Sequence, residues 1–73
     1  MIREIPIVES KNIGAVSYDD ETMELFVQFK SGLAYRYTKV TGDVADGFSQ
    51  AVSSGDYFNL YVRGNFEFGK ISS

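Results

Sequence analysis

The sequence predicts a single α+β domain spanning residues 1–73: a small antiparallel β-meander packed against one main α-helix, with a short second helix or turn and a C-terminal strand. Three observations carry this. Residues 23–40 hold two runs of alternating apolar and polar side chains broken at Lys30-Ser31-Gly32, the pattern of half-buried strands joined by a hairpin. Residues 43–54 change to a helical period, with Val44, Phe48, Ala51 and Val52 on one stripe. At 73 residues the chain is too short for two domains or for a large doubly wound or barrel fold.

The elements follow in order. Residues 1–12 contain the one proline, Pro6, beside Ile5 and Ile7-Val8, which suits a short edge strand or arm because proline cannot donate to a ladder. Residues 13–19 read as a strand and Asp19-Asp20-Glu21-Thr22 as a turn. Met23 to Lys30 is the next strand, with Met23, Leu25, Val27 and Phe29 on one face. Leu33 to Val40 follows, with Leu33, Tyr35 and Tyr37 together and Ala34, Arg36 and Thr38 opposite.

The loop between these strands sets their register. A two-residue Ser31-Gly32 turn would put Tyr35 across from Gln28 and set the apolar faces against each other. A three-residue loop, Lys30-Ser31-Gly32, pairs Phe29 with Leu33, Val27 with Tyr35 and Leu25 with Tyr37, and puts glycine at the left-handed position after a type I turn. It also sets Phe26 across from Arg36, a candidate cation–π pair.

In the helix, Asp43 is placed as the cap and Gly55 as the C-terminal stop, while Gly47 costs about 1 kcal/mol in the middle. Residues 56–68 fit either alternation (Phe58, Leu60, Val62) or a short helical turn stopped at Gly64. The reading adopted is a short helix, then a strand through Phe66-Glu67-Phe68.

Composition narrows function by exclusion. The chain has no Cys, no His and no Trp, a net charge of -3, six Phe and five Tyr. Thiol nucleophiles, disulfides, the usual triads and the common metal sites lack their residues. The expectation is binding, not catalysis, with no cofactor and no metal. The acidic balance disfavours a broad phosphate-tracking surface and hence RNA. No apolar run is long enough to span a bilayer, and the first residues do not form a signal peptide, so a cytoplasmic protein without a membrane partner is expected. A core of this size leaves marginal stability, which favours a homo-oligomer.

Three constellations compete as sites. Asp19, Asp20, Glu21 and Glu24 form an acidic cluster without calcium-loop spacing, and read as a solvated turn. Ser53-Ser54-Gly55 and Arg63-Gly64-Asn65 match no phosphate-loop motif, and read as a cap and a turn. The third is aromatic and cationic: Tyr35, Tyr37, Tyr57, Phe58 and Tyr61 with Arg36 and Arg63. Stacking rings with one or two arginines are what a nucleotide needs, and equally what a small core or an interface needs. The candidate ligand-binding set is Arg36, Tyr37, Lys39, Phe58, Asn59 and Arg63.

These pieces, taken in order, resemble the KTSC family, small modules found at the C-terminus of some lysyl-tRNA synthetases and as stand-alone bacterial and phage proteins. The matching residues are Val8 to Ile13, Gly14 to Asp19, Leu25 to Phe29, Ser31-Gly32, Tyr35-Arg36-Tyr37, Val40, Ser54 to Asn59 and Val62-Arg63. Thr41-Gly42 and Phe66-Glu67 stand where the family often has a basic residue and a proline. The resemblance implies no catalytic activity and suggests RNA as a partner. Together with the residue reading, it leads to a module that captures a small nucleotide-like ligand, as a phage anti-defence sponge would sequester a signalling nucleotide. An RNA-binding accessory module and a protein-interaction module are the alternatives.

Overall fold

Alternation and turn chemistry specify a hairpin register, and the chain adopts it. In the computed structural model, which describes residues 2–7 and 11–72, the strands are β1 (Ile2–Ile5), β2 (Ile13–Asp19), β3 (Glu24–Phe29), β4 (Ala34–Tyr37) and β5 (Phe68–Ser72). Between β4 and β5 lie α1 (Gly42–Gln50) and α2 (Ser54–Tyr57), the latter running on into a wider π-helical turn, Phe58–Val62. The sheet has the order β1-β2-β3-β4-β5, every neighbour antiparallel. The fold class is the predicted one.

Leu25 faces Tyr37, Val27 faces Tyr35 and Phe26 faces Arg36. The Phe29 N–H donates to the Leu33 carbonyl at 2.8 Å and the Gly32 N–H to the Phe29 carbonyl at 3.0 Å. Gly32 has φ 100°, the left-handed geometry that asks for glycine there. Both strands are shorter than their apolar runs, because Met23 (φ 60°) and Lys39 (φ 58°) leave the extended region at their outer ends. The expected Phe26–Arg36 stacking is replaced by an ion pair: Arg36 Nε lies 3.3 Å from Glu24 Oε2. The cation–π pair among the described residues is Arg3 over the Tyr18 ring, 5.5 Å from its centre.

An edge strand forms within the first twelve residues, but β1 ends at Ile5, before Pro6, and leaves Ile7 outside it; Val8, assigned to the same arm, lies outside the described residues. β1 is tied down by Arg3, whose Nη1 is 2.9 Å from Asp46 Oδ1 on α1. Tyr18 crosses the core to donate its hydroxyl to the Val40 carbonyl at 2.6 Å, joining β2 to the segment that leads into α1. The core lies between one sheet face and the helices, with Ile13, Val16, Leu25 and Val27 below and Ala45, Phe48 and Val62 above.

The helical segment departs from its sequence reading in three ways. α1 stops at Gln50, since Ala51 is extended (φ -76°, ψ 148°), so Val52 leaves the apolar stripe and is 88% exposed. Thr41, not Asp43, is the N-cap, without a side-chain bond, and Asp43 sits in the first turn. Gly55 lies inside α2 and stops nothing; Ser53 caps that helix, its Oγ accepting from the Asp56 N–H at 3.4 Å. The short helix expected after residue 56 forms, but it begins earlier, at Ser54, and ends at Val62. The last strand begins at Phe68, two residues beyond the expected Phe66. No helix among the described residues is long and apolar enough to cross a membrane.

Candidate ligand-binding cleft

Strand alternation brings Phe29, Tyr35 and Tyr37 onto the core face of the sheet, and β5 adds Phe68 beside Tyr37. The π-helical turn lowers Phe58 onto them. Together these five rings close a cycle. Phe29 meets Tyr35 at 5.8 Å, Tyr35 meets Phe68 at 5.7 Å, Phe68 meets Tyr37 at 5.4 Å, Tyr37 meets Phe58 at 5.6 Å and Phe58 meets Phe29 at 5.5 Å. Four of the five contacts are edge-on, the preferred geometry for packed rings. The cycle bounds a cleft of about 470 Å³, within the size range of small-molecule sites. Tyr37 and Phe58 are its buried floor; Phe68, 60% exposed, is its open wall.

The polar groups of the cleft are Asn12, Asn59 and Arg63, all exposed. Asn12 precedes β2 and its carbonyl accepts from the Lys30 N–H at 2.7 Å, which fixes it beside the hairpin. Asn59 rides on the π-helical turn, whose widened bond runs from the Arg63 N–H to the Phe58 carbonyl at 2.8 Å. Single π-helical turns recur at functional sites. Arg63 (φ -63°, ψ 125°) and Gly64 (φ 82°) then form the centre of a type II turn, closed by the Asn65 N–H on the Val62 carbonyl at 3.1 Å. This turn sets Arg63 among the residues that line the cleft. Burial pushes the Tyr37 hydroxyl above the ordinary tyrosine range and Tyr35 adds to that, while Arg63 opposes both. Arg63 is the one charged residue among those that line the cleft, on a chain of net charge -3.

Of the residues singled out from sequence, Tyr37, Phe58, Asn59 and Arg63 share this cleft. Arg36 does not join them: it lies on the opposite sheet face, against Glu24. Lys39 does not either, lining a shallow hollow with Thr38, Asn65, Phe66 and Glu67. Absent from that set were Asn12, Phe29, Tyr35 and Phe68. The alternation of β3 and β4 already placed Phe29 and Tyr35 beside Tyr37; Asn12 and Phe68 come from segments without a comparable pattern.

A second, shallower groove of about 430 Å³ runs between α1 and the π-helical turn, past Gln50, Val52, Tyr57, Leu60 and Tyr61. Tyr57 is its inner wall, packed on Phe48 at 4.7 Å and Tyr61 at 4.8 Å, with its hydroxyl on the Val44 carbonyl at 2.7 Å. The acidic segment is a turn in which Asp19 Oδ1 accepts the Glu21 N–H at 3.0 Å, a bond that lowers the Asp19 pKa.

The sequence model of a family described as the KTSC domain matches residues 9–66. A lysine–tRNA ligase of Nostoc punctiforme is 36% identical over 64 residues, 88% of this chain and 11% of that protein. The chain thus spans about a tenth of the length of the ligases it matches. An uncharacterized protein of Stutzerimonas stutzeri is 36% identical over 56 residues, covering 77% of this chain and 79% of that one. Among solved structures, a KTSC domain protein from Yersinia pestis superposes with a TM-score of 0.84 at 30% identity, over 97% of this chain and 99% of that one.

Proposed function

The chain belongs to the KTSC domain family, and we propose that it is a non-catalytic binding module that captures a small nucleotide-like ligand in the aromatic cleft. The observation that carries this is the closed cycle of five rings with one ring, Phe68, left exposed in a cleft that Arg63 also lines. A planar base has a π-face to offer Phe68, and stacking of this kind contributes about 1–3 kcal/mol per base. The Asn12 and Asn59 amides each present two donors and an acceptor to the base edge. Arg63 supplies the forked donor that a phosphate takes. Sequestration of a signalling nucleotide is the use that such a site, without catalytic groups, would serve.

Calorimetry against a panel of linear and cyclic mono- and dinucleotides tests this. At least one is expected to bind, with Phe68→Ala and Arg63→Ala each weakening it roughly tenfold or more, from the lost stacking and the lost charge-assisted bond. No heat from any nucleotide would overturn the reading.

A second reading is favoured by the lysine–tRNA ligases among the relatives. The same cleft would take one unstacked nucleotide of an RNA. RNA binding would then fall steeply with salt, whereas a free mononucleotide held by one arginine depends on salt weakly.

A further inference from the structure

The sheet has two edges, β1 and β5, and they are not alike. β1 carries Arg3 and Glu4, is clamped to α1 through Asp46, and is followed at once by Pro6. These are the devices that blunt an edge. β5 reads Phe68-Gly69-Lys70-Ile71-Ser72, with no proline and a single charge. Phe68 and Ile71 are 60% and 49% exposed, and among the described residues no strand pairs with its outer side. From this asymmetry we infer that β5 pairs, antiparallel, with β5 of a second copy about a two-fold axis at Gly69.

Side-chain chemistry selects that axis. Across an antiparallel two-fold, paired residues share a face, and the pairs Tyr37 with Phe68 and Tyr35 with Lys70 put Phe68 and Lys70 on the cleft face. An axis at Lys70 sets two ammonium groups directly opposite, which destabilises. An axis at Phe68 spends half of its ladder on residues that precede the strand. An axis at Gly69 keeps three consecutive pairs within β5 and sets each Phe68 across from Lys70 of the second copy, at cation–π distance. Gly69 then meets Gly69. Ile71, the extra residue where the ladder skips between Tyr35 and Ala34, ends the new ladder as it bends the old one.

The pairing has a consequence for the cleft, and this part rests on the nucleotide reading. Phe68 is the open wall, so Lys70 of the second copy arrives at its exposed side and adds a cation opposite Arg63. Each copy completes the other's phosphate side.

The chain has no cysteine, so single-cysteine variants test the register without nucleotide. Gly69→Cys meets no atom within 4 Å, and two thiols on the axis fall within disulfide reach. Under mild oxidation Gly69→Cys is expected to form a covalent dimer at least tenfold faster than Lys70→Cys on the same strand or Leu60→Cys on the helical groove. Faster linkage at Lys70→Cys would overturn the axis, and faster or equal linkage at Leu60→Cys would overturn the edge. Sedimentation of the unmodified chain should shift from monomer toward dimer with concentration. Phe68→Lys, which opposes two lysines, should remain monomeric, and Phe68→Lys with Lys70→Phe should restore the dimer; a monomer at every concentration overturns the proposal. Failure here leaves the cleft reading intact, because calorimetry on the monomer decides that separately.

Discussion

Gly47 sits in the middle of α1, where glycine is the poorest non-proline choice, because the Tyr57 ring occupies the space a side chain would need. A Cβ there would fall within 3 Å of two ring carbons and the hydroxyl oxygen of Tyr57. The ring cannot yield freely, since it packs edge-on against Phe48 and its hydroxyl donates to the Val44 carbonyl. Gly47→Ala is therefore expected to destabilise by about 1–3 kcal/mol through overpacking, outweighing the gain of about 1 kcal/mol in helix propensity. A lower midpoint in urea denaturation is the readout; a raised one would mean that the ring moves aside at no cost. The position was legible only as a cost. Propensity marks Gly47 as an anomaly, and nothing local says that Tyr57, ten residues on, is the reason.

At the scale of elements, strands were legible where a period and a turn agreed. The β3–β4 register followed from period 2 and one glycine, since a slip of one residue exposes every apolar side chain. Helix ends were less so: Ala51 and Val52 continue the stripe of α1, and the break comes from backbone that turns to start α2. The π-helical turn has no residue pattern of its own, because widening one bond does not alter composition. Two glycines now separate stability from binding. Gly32 and Gly64 both hold positive φ with open space around them, but only Gly64 shares a turn with Arg63. Gly32→Ala and Gly64→Ala are each expected to cost about 1 kcal/mol in stability. Only Gly64→Ala should also weaken nucleotide binding, by several-fold in calorimetry, because it shifts the guanidinium. Equal losses of affinity would dissociate the turn from the site.

The whole molecule is a small core that serves two ends. Phe58 is 5% exposed, and its ring is both cleft floor and core. Phe58→Ala should cost about 3–5 kcal/mol, on the order of all that a core of this size supplies. Thermal circular dichroism is expected to show no cooperative transition; a folded variant would show that the helices pack without it. Alkaline pH is a gentler probe. Burial raises the pKa of Tyr18, Tyr37 and Tyr57 above 10.0, so the folded chain holds these protons more tightly than the unfolded one. Their contribution is complete below about pH 10 and declines as pH rises from there through the higher folded values. Urea midpoints should be level to about pH 9.5 and then fall, less steeply for Tyr18→Phe. The aromatic excess thus resolves into core and cleft sharing the same rings. Arg36 and Tyr37 are neighbours in the chain and one candidate set by residue type, but alternation sends adjacent strand residues to opposite faces. Phe68 was harder to find, because it reaches Tyr37 across the whole helical excursion. That distance along the chain matters for motion as well. In the monomer, β5 closes the longest connection in the sheet and leaves its outer side open, so its amides should exchange with solvent well before those of β2 and β3. Each such opening swings Phe68 off the cleft while the meander stays folded. Ligand entry and release can then proceed by fraying of one strand, and a bound ligand should slow exchange at β5 first.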